Sequence, residues 1–363
     1  MPKRFVVSGG GTGGHIFPAV SIAQALRAQL PDAEFYFIGA LGKMEMDKVP
    51  AAGFPILGLP IRGLNRTQPL KNLSLPWALL RSVWKANRFL AHWKPDAAIG
   101  VGGFASGALG LAAVQRRIPL FLQEQNAFAG KTNAWLGKFA QRIFVAHENM
   151  DRFFPANRIE NLGNPVRAVF ECEAPNPGIC RAKFGLHPDK PTLLVTGGSL
   201  GAGAINAAIA FILPSLIEKG FQVIWQTGER QFDSYSHYAS AGSVWVSAFV
   251  PEMQTAYAAA DAVVSRAGAM AIAELLAMKK PAILIPLPSA AEDHQTYNAK
   301  SLSDQGAAIY LKESQLQDTL HDAVWKLFID EPQRKEIEAK LAHLHKGGAA
   351  HNIALSIIKH LNA

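Results

Sequence analysis

The sequence predicts an α/β fold built from two nucleotide-type domains in tandem, and three observations predict it. Short apolar runs alternate with longer amphipathic ones along the chain, the pattern of a parallel sheet with helices on both faces. The two halves open alike: "FVVSGGGTGGH" at 5–15 and "LLVTGGSLGAG" at 193–203 both read as strand, glycine-rich turn and helix. The length, 363 residues, exceeds a typical single domain and suits two.

In the first half the strands fall at 4–8, 34–38, 97–101, 119–122 and 142–146, and the helices at 15–30, 76–94, 105–116 and 129–139. The second half repeats the rhythm with strands at 192–196, 221–226, 244–248, 262–265 and 281–285. Its helices fall at 203–219, 252–260 and 269–278, and a further one starts within 286–299. The joint is expected in "NLGNPVRAVF", where Gly163, Asn164 and Pro165 interrupt any regular element. The expected domains are therefore 1–162 and 163–345. Residues 346–363 carry a short helix after "KGGAA" whose packing partner is open, a return onto the first domain being one option.

Composition narrows the function. Apolar residues make up 49% and charged residues 18%, a globular balance, and the formal net charge of +8 favours anionic partners. Those are phosphorylated small molecules, an acidic membrane surface or nucleic acid. No Arg/Lys block or aromatic-basic motif favours nucleic acid. The two cysteines, Cys172 and Cys180, lack metal-ligand spacing and suit a reducing compartment. Only Phe5, Val6 and Val7 separate the basic start from the glycines, too few for a signal-peptide core, and no run reaches the roughly 18 apolar residues of a spanning helix. The expected location is the cytosol, or a membrane surface without crossing it.

Residues 9–14 satisfy G-x-G-x-x-G, and a strand running through glycines into a helix aims backbone N–H groups at an anion. A dinucleotide site would also need Asp or Glu at the end of the next strand, where Gly39 stands. Tight strand–helix packing accounts for one or two of the five glycines, not for all of them with His15. A neutral imidazole is favoured in the first turn of a helix. From there His15 either takes a proton from a hydroxyl nucleophile or merely hydrogen-bonds a loop carbonyl; position alone leaves both open.

Three further segments match this theme. In "VVSRAGAMAIAE" (263–274), amides around Gly268, Ala269 and Met270 suit a diphosphate and Glu274 suits ribose hydroxyls. Alone, it would be an ordinary helix with a surface glutamate. "PLPSAAEDHQTYNA" (286–299) sets Asp293, His294, Gln295 and Asn298 at a strand's carboxyl end, and "LQEQNAFAGKTN" (122–133) does the same with Glu124, Gln125 and Asn126. Open α/β sheets bind ligands at those ends, so the convergence outweighs any single motif.

In combination and order, "GGGTGGHIFPA", "GVGGFASG", "QEQNAFAGKTN", "LGNPVR", "TGGSLGA", "RAGAMAIAE" and "EDHQTYNA" resemble the MurG family over nearly the whole chain. Members are N-acetylglucosaminyltransferases that convert lipid I to lipid II in bacterial peptidoglycan synthesis. The resemblance implies a GT-B fold, two Rossmann-like parallel-sheet domains facing a cleft. It also implies an inverting transfer of GlcNAc from UDP-GlcNAc to the muramyl C4 hydroxyl of undecaprenyl-diphosphate-MurNAc-pentapeptide. Carried over by motif, the donor contacts are Thr12, Gly13, Gly14, Asn126, Arg167, Ser199, Val250, Gln295 and the run Gly268, Ala269, Met270, Ala271, Ile272, Ala273, Glu274. The Val250 backbone would read the uracil edge and Glu274 would hold the ribose. Gln295 and Asn126 would take the GlcNAc, and Ser199 with the 268–271 amides the diphosphate. His15 is implied as general base or acceptor-positioning group, with Glu124 second. No cofactor or metal is implied, and the chain contains no Asp-x-Asp. Fixed amides and arginines can stabilise a leaving nucleoside diphosphate. The implied location is the cytoplasmic face of the bacterial plasma membrane, peripherally bound, with cell-wall synthesis proteins as possible partners.

This sequence departs from the family pattern at Gln123, where a His precedes Glu-Gln-Asn, at Phe104, where a Tyr is common, and at Ala271, where a Thr is common. Each loses a polar group. In 76–95, Arg81, Lys85, Arg88 and His92 share a helical stripe flanked by Trp77 and Trp84, with Leu79, Val83, Ala86 and Leu90 expected in the core. Tryptophan beside Lys/Arg suits an anionic headgroup zone, although a solvated basic face would read the same. Two other readings stay open. One is a different UDP-GlcNAc enzyme of this fold, an epimerase or a transferase with another acceptor. The other is a membrane-associated binding protein without catalysis.

Overall fold

The computed structural model describes residues 2–63, 75–198 and 200–362. The chain forms two compact units, Met1–Arg167 with Lys346–Ala363, and Ala168–His345. The division falls at Arg167/Ala168 rather than at 162/163, so Arg167 belongs to the first unit.

In the first unit, strands β1 (Arg4–Ser8), β2 (Glu34–Ala40), β3 (Ile56–Leu59), β4 (Ala97–Gly100), β5 (Leu120–Glu124), β6 (Arg142–Val145) and β7 (Ile159–Asn161) form one sheet in the order β3-β2-β1-β4-β5-β6-β7. Every pairing is parallel, with Val6 opposite Tyr36 on one side and Ala98 on the other. Helices α1 (Gly13–Gln29), α2 (Glu45–Ala51), α3 (Leu75–Trp93), α4 (Phe104–Gln115) and α5 (Lys131–Leu136) connect them.

Strand periodicity sorts the core. Val6, Ala98, Leu120, Leu122, Ile143 and Val145 pack on one face with Leu109 and Ala112 of α4, while Phe5, Val7, Ile99, Phe121 and Phe144 pack on the other with Ile16 and Ile22 of α1. Sheets buried on both faces carry such continuous apolar strands.

Within the first unit the sequence reading omits β3, β7 and α2. β3 and β7 are short edge strands, where few residues carry any pattern. α2 hides its signal because it contains Pro50.

In the second unit, β8 (Thr192–Thr196), β9 (Gln222–Gln226), β10 (Val244–Ser247), β11 (Ala262–Ser265), β12 (Ala282–Leu284) and β13 (Ile309–Tyr310) run in the order β10-β9-β8-β11-β12-β13, again parallel throughout. Its helices are α6 (Pro177–Lys183), α7 (Gly203–Glu218), α8 (Phe232–Tyr235), α9 (Met253–Ala259), α10 (Ala269–Met278), α11 (His294–Ser303), α12 (Leu316–Ile329) and α13 (Glu331–Leu344).

The last helix, α14 (Ala349–Leu361), belongs to the first unit and lies along α1. Ile353, Ala354 and Ile357 are fully buried in the cluster around Phe5 and Val7. Burial of each isoleucine contributes about 1.5–3 kcal/mol. Ser356 Oγ also donates to Glu160 Oε2 at 2.8 Å, tying α14 to β7.

One expectation about α3 fails. Leu79 is 38% exposed rather than in the core, and the buried stripe is Ser82, Ala86 and Leu90. Lys85 is not a free surface cation either, because its ammonium donates to Gly58 O at 2.8 Å.

Candidate active site

In each sheet the strand order reverses beside the first strand, between β1 and β4 in one unit and between β8 and β11 in the other. Chains leaving neighbouring strands in opposite directions there open a crevice at the carboxyl edge. Both glycine loops sit at such a point.

In the first unit, Gly9–Gly14 lead from β1 into α1. Not all of these glycines face a ligand. A methyl group on Gly9 would lie 2.5 Å from His15 O, and one on Gly10 would lie 2.2 Å from Glu45 Oε1. Packing therefore accounts for both. Gly11 has a φ of +88° and open space around it, a backbone state that favours glycine. Gly13 lies against the Phe17 ring, and the Arg167 guanidinium sits 5.8 Å from the centre of that ring. Thr12, Gly13, Gly14 and Arg167 thus gather around the start of α1.

His15 is half-buried and its Nδ1 lies 3.2 Å from Gly10 O. Its other ring edge faces the turn after β4, where a methyl group on Gly102 would lie 2.8 Å from Nε2. Gly102 and Gly103 have φ of +110° and +88°, and Gly10 N donates to Gly102 O at 3.3 Å. The loops after the two switch-point strands are thereby clamped together. The carbonyl bond is made through Nδ1, so it does not by itself engage Nε2.

Glu124 is placed differently from an accessible base. It is 2% exposed, and both carboxylate oxygens are occupied. Oε1 accepts from Asn126 N and Nδ2, each at 3.1 Å, while Oε2 accepts from Gly130 N at 3.2 Å and Asn133 Nδ2 at 3.0 Å. Burial pushes its carboxyl above the ordinary carboxylate range, and the four N–H donors pull the other way. Glu124 shapes the 126–133 loop and orients Asn126.

Beside it, Gln123 is fully buried, donates to Asn164 Oδ1 at 2.9 Å and accepts from Gln125 Nε2. Asn164 in turn donates to Gln125 O at 3.0 Å. The departure at 123 is absorbed by this internal network. Phe104, half exposed, packs its ring over Gly63.

In the second unit, Gly197–Ala202 lead from β8 into α7; Ser199 lies outside the described residues. Gly201, with φ +75°, passes so near the next loop that a methyl group would lie 2.1 Å from Thr227 O. After β11, Gly268 begins α10 with open space before its α-carbon. The first-turn amides of a helix have no intrahelical acceptor and favour an anion. Of the run 268–274, Met270, Ala271 and Glu274 are half-buried on one side, whereas Ala269, Ile272 and Ala273 are buried and offer only backbone. Val250, 1% exposed, likewise offers only backbone.

At the end of β12, Gln295 Oε1 accepts from Leu287 N at 2.9 Å, fixing that side chain at the head of α11. Asn298, expected to meet a ligand, is fully buried and donates to Ala267 O at 3.2 Å. Asp293 accepts from Thr296 Oγ1 at 2.6 Å and serves the helix start.

Residues 5–145 match the glycosyltransferase family 28 N-terminal domain, and residues 192–353 match the family's C-terminal domain. The chain belongs to glycosyltransferase family 28. It is 44% identical over 361 residues to the "UDP-N-acetylglucosamine--N-acetylmuramyl-(pentapeptide) pyrophosphoryl-undecaprenol N-acetylglucosamine transferase" of Bacteroides thetaiotaomicron, covering 98% of this chain and 97% of that one. The Bacteroides fragilis protein of the same name is 43% identical over 98% and 95% of the two chains. The crystal structure of Acinetobacter baumannii MurG superposes with a TM-score of 0.78 at 29% identity, over 99% of this chain and 100% of that one. The fold of this family 28 chain is accordingly GT-B, with one Rossmann-like sheet of seven strands and one of six.

The sequence reading missed Glu45, Asn164, Arg266 and His147. Arg266 ties the ends of β11 and β12 by donating to Pro286 O at 3.0 Å and pairing with Glu313. His147 follows β6 and is hydrogen-bonded to the Gln125 backbone, with Nε2 buried and unpartnered among the described residues. Desolvation pushes its pKa down from 6.5 to about 4. Between those values an unfolded chain binds a proton that the folded chain refuses, so stability falls as pH drops through that window. His147→Asn, which retains a side-chain N–H donor but does not titrate, is expected to lose less stability than the parent between pH 6.5 and about 4 in urea unfolding. Parallel losses in both proteins would contradict this role.

Proposed function

We propose that this chain is the transferase that moves GlcNAc from UDP-GlcNAc to the muramyl C4 hydroxyl of undecaprenyl-diphosphate-MurNAc-pentapeptide. The carrying observation is identity above 40% over nearly the full length with two relatives whose names state that activity. The same evidence weighs against an epimerase or a non-catalytic binding protein.

In the first unit, His15 takes the proton of the attacking hydroxyl at Nε2, with Nδ1–H held on Gly10 O. Thr12, Gly13, Gly14 and Arg167, carried over as UDP-GlcNAc contacts, offer backbone N–H groups and positive charge at the start of α1. In the second unit, the Val250 backbone reads the uracil edge and Glu274 takes the ribose. The first-turn amides of α10, with Ser199, hold the diphosphate, and Gln295 meets the sugar. As the anomeric bond breaks, charge accumulates on the departing UDP, and amides fixed in place stabilise it without reorganising. Labelled GlcNAc is expected to pass from UDP-GlcNAc to a short-chain lipid I analogue. His15→Ala should cut turnover at least about a hundredfold, within the range of a lost general base, while UDP-GlcNAc affinity stays close to the parent's. Donor binding without any transfer by the parent protein would sink the proposal, and full turnover by His15→Ala would remove His15 from the chemistry.

We further propose that α3 docks the first unit on the cytoplasmic face of the bacterial inner membrane. Trp77, Leu80 and Trp84 are 75%, 62% and 62% exposed, and Arg81 and Arg88 stand beside them, with Arg88 5.7 Å from the Trp84 ring. Amphipathic helices of this composition bind interfaces through apolar insertion and attraction to anionic lipids. Among the described residues no helix is long and apolar enough to cross a membrane. Trp77→Ser with Trp84→Ser should weaken sedimentation with vesicles containing phosphatidylglycerol; unchanged binding would rule α3 out.

A further inference from the structure

Glu45 is a fully buried carboxylate in α2, outside every motif of the sequence reading. Its Oε2 accepts from Gly11 N at 2.9 Å and its Oε1 from Ala40 N at 3.0 Å. Burying a carboxylate is costly unless it is well hydrogen-bonded, so a structure that keeps one here places strong demands on its partners.

Those partners lead to His15. The N–H of Gly11 and the C=O of Gly10 belong to one peptide group, which is planar and rigid. Glu45 holds the N–H end of that group, and His15 Nδ1 meets the C=O end at 3.2 Å. The carboxylate also fills the space that any side chain on Gly10 would occupy, and its Cγ would lie 2.6 Å from a methyl group on Gly39. Both glycines therefore exist to let this side chain reach the loop. From the other side, Gly103 lies so close that a methyl group there would be 2.4 Å from Gly10 O. The peptide is gripped on both faces.

We propose that Glu45 is the positioning residue of the transfer reaction, acting on His15 through the Gly10–Gly11 peptide. The arrangement serves the purpose of a carboxylate–imidazole pair with one peptide group inserted between the partners. A carboxylate accepting from the N–H polarises the peptide and makes Gly10 O a stronger acceptor. That acceptor selects the Nδ1–H tautomer of His15, in which Nε2 is the basic nitrogen of the ring. The inference rests on His15 as the base, and it adds which group sets its tautomer and orientation.

Glu45→Gln tests it. The amide has one acceptor for two backbone donors, so one of the N–H groups of Gly11 and Ala40 meets an NH2. Turnover should fall about ten- to a hundredfold, the usual cost of losing an orienting partner, with the KM for UDP-GlcNAc changed by no more than about twofold. In a His15→Ala background the same substitution should cost nothing further. A full additional loss there would show that Glu45 acts by another route and overturn the relay. The tautomer gives a readout independent of activity. In protein labelled with 15N-imidazole histidine and assigned with His15→Gln, the His15 signal should report Nδ1–H in the parent and a shift toward Nε2–H in Glu45→Gln. Nε2–H in the parent overturns the proposal even if Glu45→Gln does not fold. Full turnover by His15→Ala would instead overturn the base assignment, while the tautomer spectrum would still judge the contact with Glu45.

Discussion

The first unit depends on β1 being hydrogen-bonded to parallel neighbours on both sides, β2 and β4, whose following segments leave in different directions. That pairing puts the ends of β1 and β4 side by side, so the turns after Ser8 and after Gly100 must share one small space. Four facts follow from the crowding: Gly10 and Gly102 joined by a backbone hydrogen bond, positive φ at Gly102 and Gly103, bare α-carbons facing His15, and a helix start opening outward. The second unit repeats the constraint with β8 between β9 and β11, and there too glycine is required where Gly201 passes Thr227.

What the sequence makes legible is what local rules govern. Glycine runs between an apolar strand and an amphipathic helix encode a turn over six residues, so both loops, their strands and α10 are readable from their own letters. Edge strands β3 and β7 are too short to show a period, and the proline in α2 masks a helix that tertiary packing stabilises. The face of α3 is misread at Leu79 because small Ser82 and Ala86 form its contact with the core, and hydrophobicity alone cannot show a preference for small side chains.

The candidate site divides along the same line. His15 is visible because it ends its own motif. Glu45 is not, because its partner Gly11 lies 34 positions away and the helix that carries it looks unremarkable as sequence. Glu124 and Asn298 are polar residues at strand ends, and the sequence does not show the internal hydrogen bonds each makes, Glu124 with Gly130 and Asn133 and Asn298 with Ala267. Gln123 shows the converse. A departure that seemed to remove a polar contact is buried in a network with Gln125 and Asn164, two residues whose pairing no local pattern displays.

The proposed reaction has one base and one displacement: a hydroxyl deprotonated at His15 would attack the sugar directly, with no sugar–enzyme bond. The anomeric configuration of the product tests this most directly, read from the proton coupling of the new glycosidic linkage after transfer from α-linked UDP-GlcNAc. A β linkage is the result that a single displacement predicts. An α linkage would require two displacements through a covalent or equivalent intermediate, and would contradict the role given to His15.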